Sequence, residues 1–280
     1  MRNAPQFRIA DWRAEFCGAF LASAMLLAST AGLRAEETAP CVGTVTGAEF
    51  QAPTNRYPHG VLGDDLEWGA LRISYRSKSD CRSGSGSIRA RLPEDMVFED
   101  VAPRLVDLDG RDHPEVIVVE SHQTLGARLA VWGIQDESFM RLAATPFIGT
   151  RFRWLAPLGA ADLDGDGQME LAYVDRPHLA RTLRVWRYET RSDGAASGSA
   201  PATLIEIAAL AGVTNHRIGE SDIAGGIRTC GDQPEMIVAD ANWQEVLAVT
   251  LAGGDLRRRT LGPHRGRESF ATAMACDSLR

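Results

Sequence analysis

Lysine is all but missing from this 280-residue chain: of its 30 basic residues 29 are arginine, and Lys78 stands alone. Acidic residues number 37, giving a net charge of -7, and no concentrated basic face is written anywhere. Neutralising phosphates needs such a face, so a dedicated nucleic-acid binder is excluded. After residue 35 there is no uncharged apolar stretch long enough to span a bilayer, and no membrane insertion is expected beyond that point. The usual catalytic signatures are also lacking. No HExxH occurs, which removes a zincin. The nearest approach to a GxSxG elbow, residues 219–223 (GESDI), fails at its last position. Neither a Walker A loop nor a strand-GxGxxG-helix fingerprint is present, and the absence of CxxC argues against redox or zinc roles. Long helical patterns are missing too. What remains is a chain with 44% hydrophobic residues and 27 glycines, enough to bury a full core and too apolar for wholesale disorder.

The first 35 residues differ from the rest. Arg2, Arg8 and Arg13 precede an uncharged Ala- and Leu-rich stretch over 16–33, and small residues lead to Ala35 before Glu36 and Glu37. This is the pattern of a secretory signal peptide, with cleavage after Ala35, and it places the protein outside the cytoplasm, in the periplasm or the medium. Its removal leaves 26 basic and 35 acidic residues. Cys17 leaves with it, so Cys41, Cys81, Cys230 and Cys276 remain. An even count in an exported chain suggests two disulfides; four cysteines allow three connectivities, and sequence order favours Cys41–Cys81 and Cys230–Cys276.

A repeating unit runs through residues 36–280. RLVDLDGRDHPEVIVVE over 104–120 and LGAADLDGDGQMELAYVD over 158–175 both place DLDG just ahead of an acid and an apolar, β-rich run. Asp107 aligns with Asp162 and Glu115 with Glu170, each 55 residues apart. A weaker copy, GDQPEMIVAD over 231–240, brings Glu235 into line, and GDDLEWGALRI over 63–73 brings Glu67. Short β-branched and aromatic runs follow each glutamate, separated by Gly, Asp, Pro and Ser clusters, and read as successive antiparallel strands. Segments 83–87 (SGSGS) and 192–201 (SDGAASGSAP) read as flexible insertions. Units of about 50 residues with four strands each match the blades of a β-propeller. The expected fold is therefore all-β: one domain of about five four-stranded blades. The ring would be closed by the termini, residues 268–275 forming a strand beside strands around 42–50, which removes two exposed edges.

The sharpest local signal is Asp162-Leu-Asp164-Gly-Asp166-Gly-Gln168-Met-Glu170. Carboxylates at relative positions 1, 3, 5 and 9, a glycine at 6 for a tight bend and a backbone carbonyl at 7 converge hard oxygens on one point. Calcium suits such a loop because it tolerates six to eight oxygens in flexible geometry. An EF-hand does not match, since Tyr173 occupies its twelfth position and the flanks are strands. These residues resemble the FG-GAP or VCBS repeat family, whose calcium loops sit in integrin-α-like β-propellers. The resemblance is clear over 104–188 and weaker over 60–240. It implies metal ligands at Asp162, Asp164, Asp166, the carbonyl of Gln168, and Glu170. In the earlier unit it implies a weaker set at Asp107, Asp109, the carbonyl of His113, and Glu115. There Arg111 stands where the middle carboxylate belongs, a cation that can pair with Asp107 or Asp109 in place of a metal. Upstream of Glu235 the ligands are gone, and Cys230 offers a covalent staple instead.

The expected function is a non-catalytic, calcium-binding scaffold, a monomer that presents loops to a protein or glycan partner. The competing reading is a hydrolase or lyase with its site in a central channel. His59, Asp65, Glu67 and Trp68 form the densest polar and aromatic cluster, and two or more carboxylates or histidines gathered on the axis would favour that reading. Trp132 and Trp186 fall at equivalent places in two units and are expected to pack between blades.

Overall fold

A computed structural model describes residues 42–78, 84–136, 138–190 and 202–279. The expected signal segment 1–35, Cys41, Cys81 with their expected bond, and the expected insertion 192–201 lie outside the described residues. Eight strands form the first antiparallel sheet: β1 (Val42–Thr54), β2 (Glu67–Ser77), β3 (Ser85–Arg91), β4 (Met96–Phe98), β5 (Arg104–Val106), β6 (Glu115–His122), β7 (Gly126–Gln135) and β8 (Ser138–Ala144). Their order is β1-β2-β4-β6-β7-β8, with β3 beside β2 and β5 beside β6. The second sheet is a four-stranded meander of β9 (Leu155–Ala161), β10 (Glu170–Asp175), β11 (Thr182–Glu189) and β12 (Thr203–Ala211). The third comprises β13 (Val213–Thr214), β14 (Gly226–Thr229), β15 (Pro234–Asp240), β16 (Glu245–Ala252) and β17 (Asp255–Pro263).

The inner strands explain the continuous apolar runs of the sequence. A strand buried on one face alternates, whereas one covered on both faces does not. In β6, Val116 and Val118 pack with Leu71 and Ile73 of β2, while Ile117 and Val119 pack the other way, with Leu171 and Tyr173 of β10. Ala172 and Val174 of β10 then meet Met236 and Val238 of β15. Successive sheets therefore stack face to face, each inner strand serving two cores. Trp186 packs in the core between the first two sheets, and Trp132 in the core enclosed by the first sheet. The outer strands β3, β8, β12 and β17 alternate between partly covered and exposed positions, as edges should.

Three expectations require correction. Residues 267–274 are not a strand beside 42–50 but an α-helix, α1 (Arg267–Met274), whose buried Phe270 and Ala273 cover Ile237, Ala239, Val246 and Ala248. Apolar residues three apart in a stretch of good helix formers outweigh the β-like look of the segment. The described residues show several antiparallel sheets packed face to face; a closed ring of five blades is not seen among them. Second, Ser85–Ser87 are not an insertion, because they pair with Arg76, Tyr75 and Ser74 of β2. Third, Glu67 does not sit where Glu115 sits. Through the Trp68–Phe98 and Phe98–Glu120 pairings, the start of β2 lies beside the end of β6 rather than its beginning.

A strap between β1 and β2 crosses the stack. Arg56 O accepts a bond from Gln123 Nε2, Tyr57 Oη from the Phe152 amide, and Val61 O from the Gly219 amide. Fully buried Tyr57 and nearly buried Val61 carry the strap into the core. At the far end of the chain Cys230 and Cys276 are bonded, with Cα atoms 5.6 Å apart, pinning the segment after α1 to the β14–β15 turn.

Candidate metal centre

Both acidic motifs are tight turns between antiparallel neighbours, 107–114 joining β5 to β6 and 162–169 joining β9 to β10. The leading aspartate builds each turn. Asp162 Oδ1 accepts the amides of Gly165 and Asp166, and its Oδ2 accepts that of Gly167. Asp107 does the same for Gly110, Arg111 and Asp112. The fifth residue after each leading aspartate sits in the left-handed region, which is easy for Gly167 (φ 87°) and tolerable for Asp112 (φ 59°), since aspartate bonds its own backbone there. The glutamates open β10 and β6, and each accepts an amide back across the turn, from Leu163 to Glu170 and from Leu108 to Glu115. The two loops flank one cleft of about 470 Å³, lined by Asp107, Asp109, Gly167, Gln168 and Tyr188 among others.

Carboxylate oxygens of Asp162, Asp164 and Asp166 lie within 4.8 Å of one another, as do those of Asp107, Asp109 and Glu115. The donor set in each loop is hard and anionic, which fits calcium. The fourth expected carboxylate of the later loop, Glu170, does not join its cluster. Its Oε2 takes the Leu163 amide, while its Oε1 lies 2.8 Å from Nε of Arg187. The same guanidinium reaches Asp164 at 2.8 Å and Asp166 at 2.9 Å. Sequence reasoning missed Arg187; its signal was an arginine directly across the strand pair from Glu170.

The earlier loop is different. Opposite Glu115 on β7 stands Gly133, because Val116 pairs with Trp132. Arg111 leans outward, 57% exposed, with one contact to Asp109 at 3.3 Å. Burial, with the Leu108 amide opposing and Asp109 and Asp107 adding repulsion, pushes Glu115 up to about 7. Burial also raises Asp109, against the pull of Arg111. The His113 ring is engaged elsewhere, its Nδ1 2.7 Å from Thr44 Oγ1. In the third sheet burial of Glu235 is outweighed by Arg228 and Arg259, which hold its carboxyl below the usual range. There a pair of arginines and the nearby disulfide stand where the other loops have acids.

A second polar cluster forms where the strap meets β4 and β6. Fully buried Glu99 has its Oε1 2.5 Å from His59 Nδ1, and its Oε2 accepts from Ser121 Oγ. His59 stacks on Phe152. Glu67, 2% exposed, completes the group: burial and then the charges of Glu99, Asp64 and Asp100 raise it far above the usual carboxylate range. Of these residues the sequence pointed to His59 and Glu67. Glu99 and Ser121 carried no motif and are brought in by β-sheet register alone.

Among the described residues no helix is long and apolar enough to cross a membrane. No protein-family model matches the chain, and no curated protein matches it.

Proposed function

We propose that this is an exported scaffold of the β-propeller kind, stiffened by calcium at its acidic turns, which presents loops to a protein or glycan partner. The observation that supports it best is the convergence of three carboxylates within 4.8 Å in each of two turns on neighbouring sheets. Asp162, Asp164, Asp166 and the Gln168 carbonyl, and in the earlier turn Asp107, Asp109, Glu115 and the His113 carbonyl, are the groups that would hold the ion. Bound there, calcium neutralises packed carboxylates and fixes the turn. Because an ion that binds only the folded chain stabilises it by mass action, calcium at about 100 times its Kd adds about 2.7 kcal/mol per site. Melting curves in calcium and in chelator test this. A higher Tm in calcium, reduced in D107N and D164N, is expected; identical curves would sink it. Capture of partners from an envelope fraction, with and without calcium, tests the scaffold role.

One observation favours a second reading, a hydrolase or lyase. The His59–Glu99–Ser121 group beside Glu67 gathers buried carboxylates and an oriented imidazole at one point. Turnover of ester, glycoside or phosphoester substrates that disappears in H59A would support it, and turnover unaffected by H59A would not.

A further inference from the structure

The loop 162–170 already carries a cation of its own. Arg187 stands opposite Glu170 in the β10–β11 register, and its guanidinium is within 2.9 Å of Asp164, Asp166 and Glu170 at once. Its side chain is 17% exposed and Glu170 is fully buried, so screening is weak at that contact, while Asp166 at 38% exposed is the member open to water. A planar guanidinium with five donors can serve several carboxylates together, as a point charge cannot. Oxygens of Asp164 and Asp166 that a metal would need are the ones it holds. The neighbouring turn shows what its absence looks like: Gly133 occupies the position across from Glu115, and a Cβ there would already stand 2.6 Å from Leu142 Cδ1. No arginine can reach Glu115 from that place.

We infer that Arg187 is a tethered counter-ion of the 162–170 turn, competing with calcium for Asp164 and Asp166, so that an ion enters this turn only by expelling the guanidinium. This rests on the calcium reading above and sets its regulation. Loop order without metal and calcium uptake by the turn are then opposite sides of one exchange.

The experiment uses the full chain with calcium chloride as the probe. Calcium affinity is measured by isothermal titration, and protection of the Leu163, Asp166 and Gly167 amides is followed by hydrogen exchange in chelator, in wild type, R187Q, R187K and R187Q/D164N. R187Q should bind calcium at least tenfold more tightly than wild type, and addition of D164N should cancel the gain. In chelator R187Q should lose amide protection in the turn that wild type retains, and calcium should restore it. R187K, which keeps the charge but not the fork, should fall between the two; it also carries the test if R187Q does not fold. Equal calcium affinity in wild type, R187Q and R187K would overturn the inference while leaving the calcium reading intact. Loss of protection in R187Q, with calcium binding in none of the variants, would overturn the calcium reading and the competition with it, leaving Arg187 as a structural counter-ion only.

Discussion

At the scale of single residues, the protein handles buried carboxylates in two ways. Glu120 is fully buried and meets Arg128, Arg141 and the Trp132 indole, and Asp175 meets Arg176 and Arg184. Glu67 is raised first by burial and then by the charges of Glu99, Asp64 and Asp100, which favours its protonated form. Its carboxyl is raised from 4.5 to about 10 on folding, so between those values the folded chain holds a proton that the unfolded chain has released. The stabilisation is complete below pH 4.5 and drains away as pH climbs toward 10. The slope for one such group reaches about 1.4 kcal/mol per pH unit. E67Q, a permanent mimic of the protonated form, should flatten this part of the stability curve. Denaturant midpoints at pH 5, 7 and 9 check it; parallel curves for wild type and E67Q would show that Glu67 titrates normally. By contrast, R128A removes one of the two arginines on Glu120 while Arg141 and Trp132 remain, and should cost about 1.5–3 kcal/mol, read from the same midpoints.

At the scale of elements, strands were legible and their partners were not. The β-branched runs after Glu115, Glu170 and Glu235 announced β6, β10 and β15, because strands covered on both faces cannot hide their apolar residues. The turn chemistry of 162–169 was equally plain, since aspartates spaced two apart have few other uses. What stayed hidden was long-range: Arg187 across from Glu170, the strap over three sheets, Glu99 beside His59. None follows from local spacing; each depends on which strand edges meet. The helix was misread because a single pair three apart, Phe270 and Ala273, is a weak helical signal in so short a segment. That helix depends on a covalent tether as well as packing. The bond between Cys230 and Cys276 spans 46 residues, for which chain entropy gives about 4 kcal/mol. Arg228 adds a bond to Ala273 O. A C230S/C276S chain should therefore show fast amide exchange in α1 while β15 and β16 remain protected, and a melting temperature below that of the wild type. Retained protection in α1 would mean that packing alone holds it.

At the scale of the whole molecule, the third sheet has an apolar face against which no other sheet of the described residues packs. Here β15 and β16 turn Ile237, Ala239, Val246 and Ala248 toward α1, which caps the stack in place of another blade. Terminal caps of this kind are what keep linear arrays of repeated units soluble. A chain ending at Pro263 lacks the cap and should bury the same face against a second copy, because contiguous uncovered apolar surface drives association. Sedimentation velocity over a concentration series distinguishes the outcomes, with C230S included in the shortened chain so that a free thiol cannot cross-link it. A shift to dimer or larger species relative to full length is expected, and F270D in the otherwise intact chain should move the same way by unseating the helix. If the shortened chain sediments at every concentration as its full-length counterpart does, the face is covered by something other than α1, and the open stack would have to close by another route.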